Sequence, residues 1–130
     1  MLKDSKAVAT IATSDMPAAH TFYSETLGLP VMASMEQIAA YQLPDGSAIT
    51  VYLRPNHVPP ENTTITFVVS DIEAEMADLR SRGVTFEDYD MPGIKTVDGL
   101  ATEGMGGSSA AWFKDPAGNI LSLGTIPPSP

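Results

Sequence analysis

The sequence predicts an α+β fold made of two βαβββ modules in tandem, and three observations predict it. Runs of β-branched and small residues at 7–13 and 63–69 each lead into a Ser-Asp pair, Ser14-Asp15 and Ser70-Asp71. Each pair is followed by apolar residues at helical spacing. The turn Pro44-Asp45-Gly46 in the first half is answered by Asp115-Pro116-Ala117-Gly118 in the second. A plan that recurs within one chain is a strong architectural signal, because each half must bury one face of its own sheet.

The elements follow in order. Residues 7–13 read as a strand. Asp15 is placed to cap a helix, and Pro17 sits where a first turn tolerates proline. Ala19, Phe22, Tyr23 and Leu27 continue that helix until Gly28 stops it, with Pro30 just beyond. Residues 30–35, 37–43 and 48–53 read as strands, the last two joined by the Pro-Asp-Gly turn. Three prolines within 54–62 mark a connection. In the second half, 63–69 is a strand, and 72–81 is a helix with Ile72, Met76 and Leu79 on one face. Strands follow at 84–89, 109–113 and 120–124. One further strand is inferred from the repeat and assigned to the long loop 91–108.

Length sets one domain over 1–130, with modules at 6–54 and 63–125, a linker at 55–62 and a tail at 126–130. The chain has no cysteine, which removes disulfides and thiolate metal sites. Its 43% hydrophobic and 18% charged residues suit a globular chain. A formal net charge of −9 opposes a nucleic-acid partner, which needs a basic face, and favours cationic ligands. No stretch has the length of a membrane span, and the weakly apolar start is too short for a signal peptide, so a cytoplasmic location with no membrane partner is expected.

The first helix closes with Phe22-Tyr23 followed by Leu27-Gly28-Leu29, and the last hairpin reads Trp112-Phe113-Lys114-Asp115-Pro116-Ala117-Gly118-Asn119. These two motifs on the repeated plan resemble the vicinal oxygen chelate superfamily, which includes glyoxalase I, the bleomycin-resistance proteins and the extradiol dioxygenases. The resemblance covers nearly the whole chain. It implies that each module curls into half of a mixed-sheet cup and that protomers form a homodimer. It also implies that metal-dependent members carry His or Glu at four positions, which align here with Val8, Thr50, Thr64 and Ser122. None of these four is a catalytic metal ligand, and shifting the register by one residue brings none in. No metal and no cofactor are therefore expected.

The candidate ligand-binding residues fall into three groups. Thr50, Tyr52, Thr64, Thr66 and Ser122 lie on strands, where alternation gives Thr50 and Tyr52 one face and Thr64 and Thr66 another. They line a pocket, or they reflect the β propensity of threonine. Tyr41, Tyr52, Tyr89 and Trp112 supply stacking walls for a flat or cationic ligand, or pack the strands. Glu103 and Met105 sit in the glycine-rich loop 91–108, which is a candidate lid or a solvated connection. His20, inside the first helix, and His57, in the linker, read as partly exposed structural residues.

The leading functional expectation is a metal-independent small-molecule-binding protein of the bleomycin-resistance type that sequesters its ligand. An alternative is a lyase, isomerase or dioxygenase of the same superfamily, whose metal-free form would draw a general base from Glu103 or His57. A second alternative is a non-catalytic dimeric interaction module.

Overall fold

The chain first commits to regular structure at β1 (Ala9–Thr13), after a single 3₁₀ turn at Leu2–Asp4. The architecture is that of a computed structural model, which describes residues 1–102 and 107–126. Asp15 caps α1 (Met16–Thr21), its carboxylate accepting from the Ala18 amide at 3.1 Å, with Pro17 in the first turn. The helix does not run unbroken to Gly28. Residues Phe22–Thr26 widen into a π turn, closed by the Leu27 amide donating to the Phe22 carbonyl. This wider turn delivers Tyr23 to complete burial. Gly28 then reverses the chain at φ +72°, and the Leu29 amide returns to the Tyr23 carbonyl.

Three more strands complete the first sheet: β2 (Val31–Ser34), β3 (Ile38–Gln42) and β4 (Ala48–Leu53). Their order is β1-β4-β3-β2, with β1 parallel to β4 and the other neighbours antiparallel. Register separates two faces. Ile11, Val51 and Ala39 stand side by side, as do Ile49 and Tyr41, and all five are buried. This is the face that α1 covers, because Tyr41 stacks on Tyr23 and bonds to His20. The opposite face carries Thr10, Thr50 and Ala40 in one row and Ala12, Tyr52 and Ile38 in the next.

The second unit repeats the plan. Strand β5 (Thr63–Val68) leads to α2 (Ile72–Ser81), capped by Asp71, whose carboxylate accepts from the Ala74 amide at 3.1 Å. Ile72, Met76 and Leu79 are the buried residues of α2, as their spacing requires. Then come β6 (Asp90–Met91), β7 (Ile94–Lys95), β8 (Leu100–Ala101), β9 (Ala110–Lys114) and β10 (Ile120–Gly124). The main sheet has the order β5-β10-β9-β8, with β5 parallel to β10. Leu121, Leu123 and Phe113 fill its helix-covered side, where Phe113 meets Phe86 edge-on at 5.6 Å.

One expectation is corrected here, and the further strand inferred within 91–108 is located as β8. Residues 84–89 do not form a strand: only Phe86 bridges to Phe113, backed by the Glu87 amide donating to the Trp112 carbonyl at 2.8 Å. The chain leaves the edge of β9 after Glu87 because the Asp88 carboxylate accepts from the Thr96 hydroxyl and the Gly99 amide, which folds 88–99 into an excursion. Accordingly the loop from 91 is no plain connection. It holds the small β6–β7 hairpin and then β8, which returns to the same edge of β9. The strand that the repeat requires is thus split into two short pieces along one edge.

The chain divides into two compact units, Met1–Pro59 and a second beginning at Pro60. Among the described residues no helix is long and apolar enough to cross a membrane.

Candidate functional site

Parallel pairing of β5 with β10 sets Thr66 beside Ser122, and antiparallel pairing of β10 with β9 sets Ser122 beside Trp112. All three therefore share the side of the second sheet that α2 leaves uncovered. The Thr66 and Ser122 hydroxyls share a hydrogen bond at 2.7 Å. Ser122 is buried and Thr66 is exposed, so the pair reaches from the sheet interior to its surface. The Trp112 indole N–H donates to the Thr63 hydroxyl at 3.2 Å. The register shift between Ile120 and Leu121 displaces Thr64, whose hydroxyl donates to the Ile120 carbonyl at 2.9 Å.

An aromatic wall stands next to this hydroxyl pair. Tyr89 meets Trp112 edge to face, with ring centroids 5.4 Å apart. Ala101, Ala110, Ile94 and Ile120 pack around the indole. Tyr89 is fixed by its backbone, since its amide donates to the Thr96 hydroxyl and its carbonyl accepts from the Thr96 amide. Burial, helped by the negative charge of Glu87, pushes the Tyr89 phenol above its ordinary range, so the ring stays neutral at pH 7. The assembly sets a hydroxyl pair beside an edge-to-face aromatic pair whose indole is itself buried. Hydroxyls and aromatic rings are the kinds of group by which small-molecule sites hold their ligands.

In the first unit, Thr50 and Tyr52 are partly exposed on the helix-free face, in line with Thr10 and Ala12. Tyr41 does not join them and is corrected as a lining residue. It pairs with Ile49, so it points to the helix side, where it is fully buried and its hydroxyl lies 2.7 Å from His20 Nδ1. Burial raises the Tyr41 pKa. His57 closes a turn, its amide donating to the Arg54 carbonyl. Glu103 and Met105 lie outside the described residues.

Residues 7–123 match the model of the glyoxalase/bleomycin resistance protein/dioxygenase superfamily. The chain belongs to this superfamily. Solved structures of glyoxalase-fold proteins agree. A glyoxalase/bleomycin resistance protein from Catenulispora acidiphila is 24% identical, with a TM-score of 0.66 over 94% of this chain and 98% of that one. A glyoxalase family protein from Enterococcus faecalis is 20% identical, with a TM-score of 0.74 over 95% and 99%. A lactoylglutathione lyase from Agrobacterium tumefaciens is 18% identical, with a TM-score of 0.65 over 94% and 93%. At these identities the likeness is one of glyoxalase fold. No curated protein sequence matches the chain.

Superfamily membership directs attention to the donor atoms at the four positions aligned above. Of the four aligned positions, Val8 has no donor atom, and the other three carry neutral hydroxyls. Two of those hydroxyls already have protein partners, Thr64 with the Ile120 carbonyl and Ser122 with Thr66. A catalytic divalent ion calls for imidazole or carboxylate ligands, and these residues do not fit one. Among the described residues no group of three His, Asp or Glu side chains gathers to replace them.

Sequence reasoning named Trp112, Tyr89, Thr66 and Ser122 singly, and the structure brings them onto one surface. It missed Thr63 as the indole's partner and Ile94 as part of the wall. Both reach the tryptophan through features that no local pattern encodes, a bulge and a two-residue strand. It also missed the bond between His20 and Tyr41. The signal available was weak: His20 stands three residues before Tyr23 on the buried side of the first helix, where a polar ring needs a partner.

Proposed function

We propose that this superfamily member binds a small molecule without a metal and acts by sequestration, in the manner of the bleomycin-resistance type. The observation that carries the reading is the Thr66–Ser122 hydroxyl pair beside the Trp112–Tyr89 pair, Ser122 being one of the four positions aligned with the ligands of metal-dependent members. Sequestration requires shape, stacking and a few oriented polar groups, and no group that exchanges protons near neutral pH. The chain acts as a cytoplasmic homodimer in this reading, with a flat organic ligand as its partner.

Two measurements test it. The purified protein is exposed to zinc, nickel, manganese and iron(II), desalted and submitted to elemental analysis. Near-zero occupancy is expected, and stoichiometric metal on each chain overturns metal independence. Trp112 is the single tryptophan, so its fluorescence reports on this surface alone. Titration with a panel of flat aromatic compounds is expected to give a saturable change that Ser122→Ala weakens. A panel that leaves the emission unaltered throughout overturns the assignment of this face as the binding surface.

A further inference from the structure

A concavity lies wholly within the first unit, at the end of the sheet where β1 runs into α1. It has a volume of about 620 Å³ and opens between the start of α1, the turn after β2 and the end of β4. That size lies within the range of small-molecule sites.

Its chemistry is specific. Met16, Met35 and Leu53 supply the apolar lining. Met35 is 60% exposed, so the first unit leaves this flexible, polarizable side chain with surface to cover. Asp15 and Glu36 supply two carboxylates, and the lining contains no lysine or arginine. One oxygen of the Asp15 carboxylate accepts from the Ala18 amide at 3.1 Å. The nearest basic residue along the chain is Arg54, which follows Leu53 just outside the lining and whose amide donates to the Thr13 carbonyl. His20 forms part of the wall, and its Nδ1 is tied at 2.7 Å to the hydroxyl of the fully buried Tyr41. A ring held from behind loses little freedom when something packs against it.

We propose that this concavity binds a small organic cation with an apolar body, of the aryl-alkyl ammonium class. The ammonium faces the Glu36 and Asp15 carboxylates, and the apolar body lies against Met16, Met35 and Leu53. The site shares no residue with the Trp112 surface, so either assignment can fail without the other.

The probe is benzylammonium, followed through the backbone amide resonances of the intact protein, with benzyl alcohol and benzoate as neutral and anionic analogues. Saturable shifts are expected at residues 14–20 and 34–36, with benzylammonium binding more tightly than benzyl alcohol and benzoate most weakly. Glu36→Gln is expected to weaken benzylammonium about two- to fivefold, the range for one exposed charge pair. Glu73→Gln, the same charge change on α2, is expected to leave the affinity unaltered. The proposal is overturned if millimolar benzylammonium shifts none of these amides, if benzoate binds as well, or if the two variants respond alike. The comparison of the three probes on the unmodified chain decides the matter even where a variant folds poorly.

Discussion

The side-chain oxygens of Thr66 and Ser122 lie 2.7 Å apart across two parallel strands, and Thr10 and Thr50 hold the corresponding paired positions in the first sheet. Because Ser122 is buried, removing its partner leaves a hydroxyl in want of a bond. Thr66→Val and Ser122→Ala are each expected to cost about 1 kcal/mol in urea unfolding. The double variant is expected to cost less than the sum, with a coupling of about 0.5–1.5 kcal/mol. Strict additivity would mean that the bond contributes nothing to stability.

Tyr41→Phe keeps the stacking on Tyr23 and removes only the hydroxyl that meets His20. A loss of about 0.5–1.5 kcal/mol is expected from the missing bond. Alkaline pH gives a second readout. The folded state holds the Tyr41 phenol above its ordinary range by burial, so it favours the protonated ring. The resulting stability is complete below the usual tyrosine pKa of about 10 and is lost as pH rises beyond it. Unfolding followed by absorbance should show a smaller alkaline decline in Tyr41→Phe, the remainder coming in part from Tyr89, which is shifted the same way.

Asp88 anchors the excursion from 88 to 99 and gives it an acid sensitivity. The Thr96 hydroxyl first, then the Gly99 amide, with a smaller contribution from the Arg80 guanidinium, hold its carboxyl below the ordinary range. A depressed folded pKa stabilises the fold above the unfolded value of about 4 and ceases to do so as pH falls through the lower, folded value. The protection of the Gly99 amide, its exchange rate relative to that of an unprotected amide at the same pH, should therefore fall below about pH 4. In Asp88→Asn that local pH dependence should vanish. Asp45, lowered by Ser47, should continue to report acid sensitivity in the first unit.

Gly99 and Gly93 form a matched pair. Both have positive φ, +83° and +85°. A Cβ at Gly99 would stand 2.8 Å from the Phe86 Cβ and 3.1 Å from Arg80 Nη2, whereas at Gly93 nothing lies within 4 Å. Gly93→Ala should cost about 1 kcal/mol for the backbone conformation alone. Gly99→Ala should cost about 2 kcal/mol or more, since the Phe86 backbone must also move. Equal thermal shifts for the two would show that the contact with Phe86 yields freely.

Legibility in the sequence follows the reach of the interactions. Asp15 and Asp71 announced both helices because capping is local, and the observed caps are the ones their spacing indicates. The strands of the first module were visible because each is four residues or longer and bounded by a turn signal. The run 84–89 misled because Val84 and Phe86 alternate with Thr85 and Glu87 as in a strand, while the bonds that divert it come from Thr96 and Gly99. Strand β8 is two residues long and has no periodicity to detect. Tyr41 was misassigned because Ala39 and Ala40, which precede it, do not show which side is apolar. Only its pairing with Ile49 decides the face. In the second sheet, Trp112, Ser122 and Thr66 were each recognisable by residue type, yet their assembly depends on two registers that join distant strands.

Each sheet closes with its first strand lying against its last, Ile11 beside Val51 and Thr66 beside Ser122. On the ribosome this dictates an order of events. The first sheet can be complete once residue 53 has left the exit tunnel, with its β2, β3 and β4 meander forming from neighbouring segments. Strand β5 must wait, unpaired along its length, until residue 124 emerges and β10 can dock beside it. During that interval a β-rich edge carrying Ile65, Phe67 and Val68 is open to pairing with other chains. The window lengthens wherever translation slows between β5 and β10, so the yield of folded protein depends on how promptly the last strand is delivered.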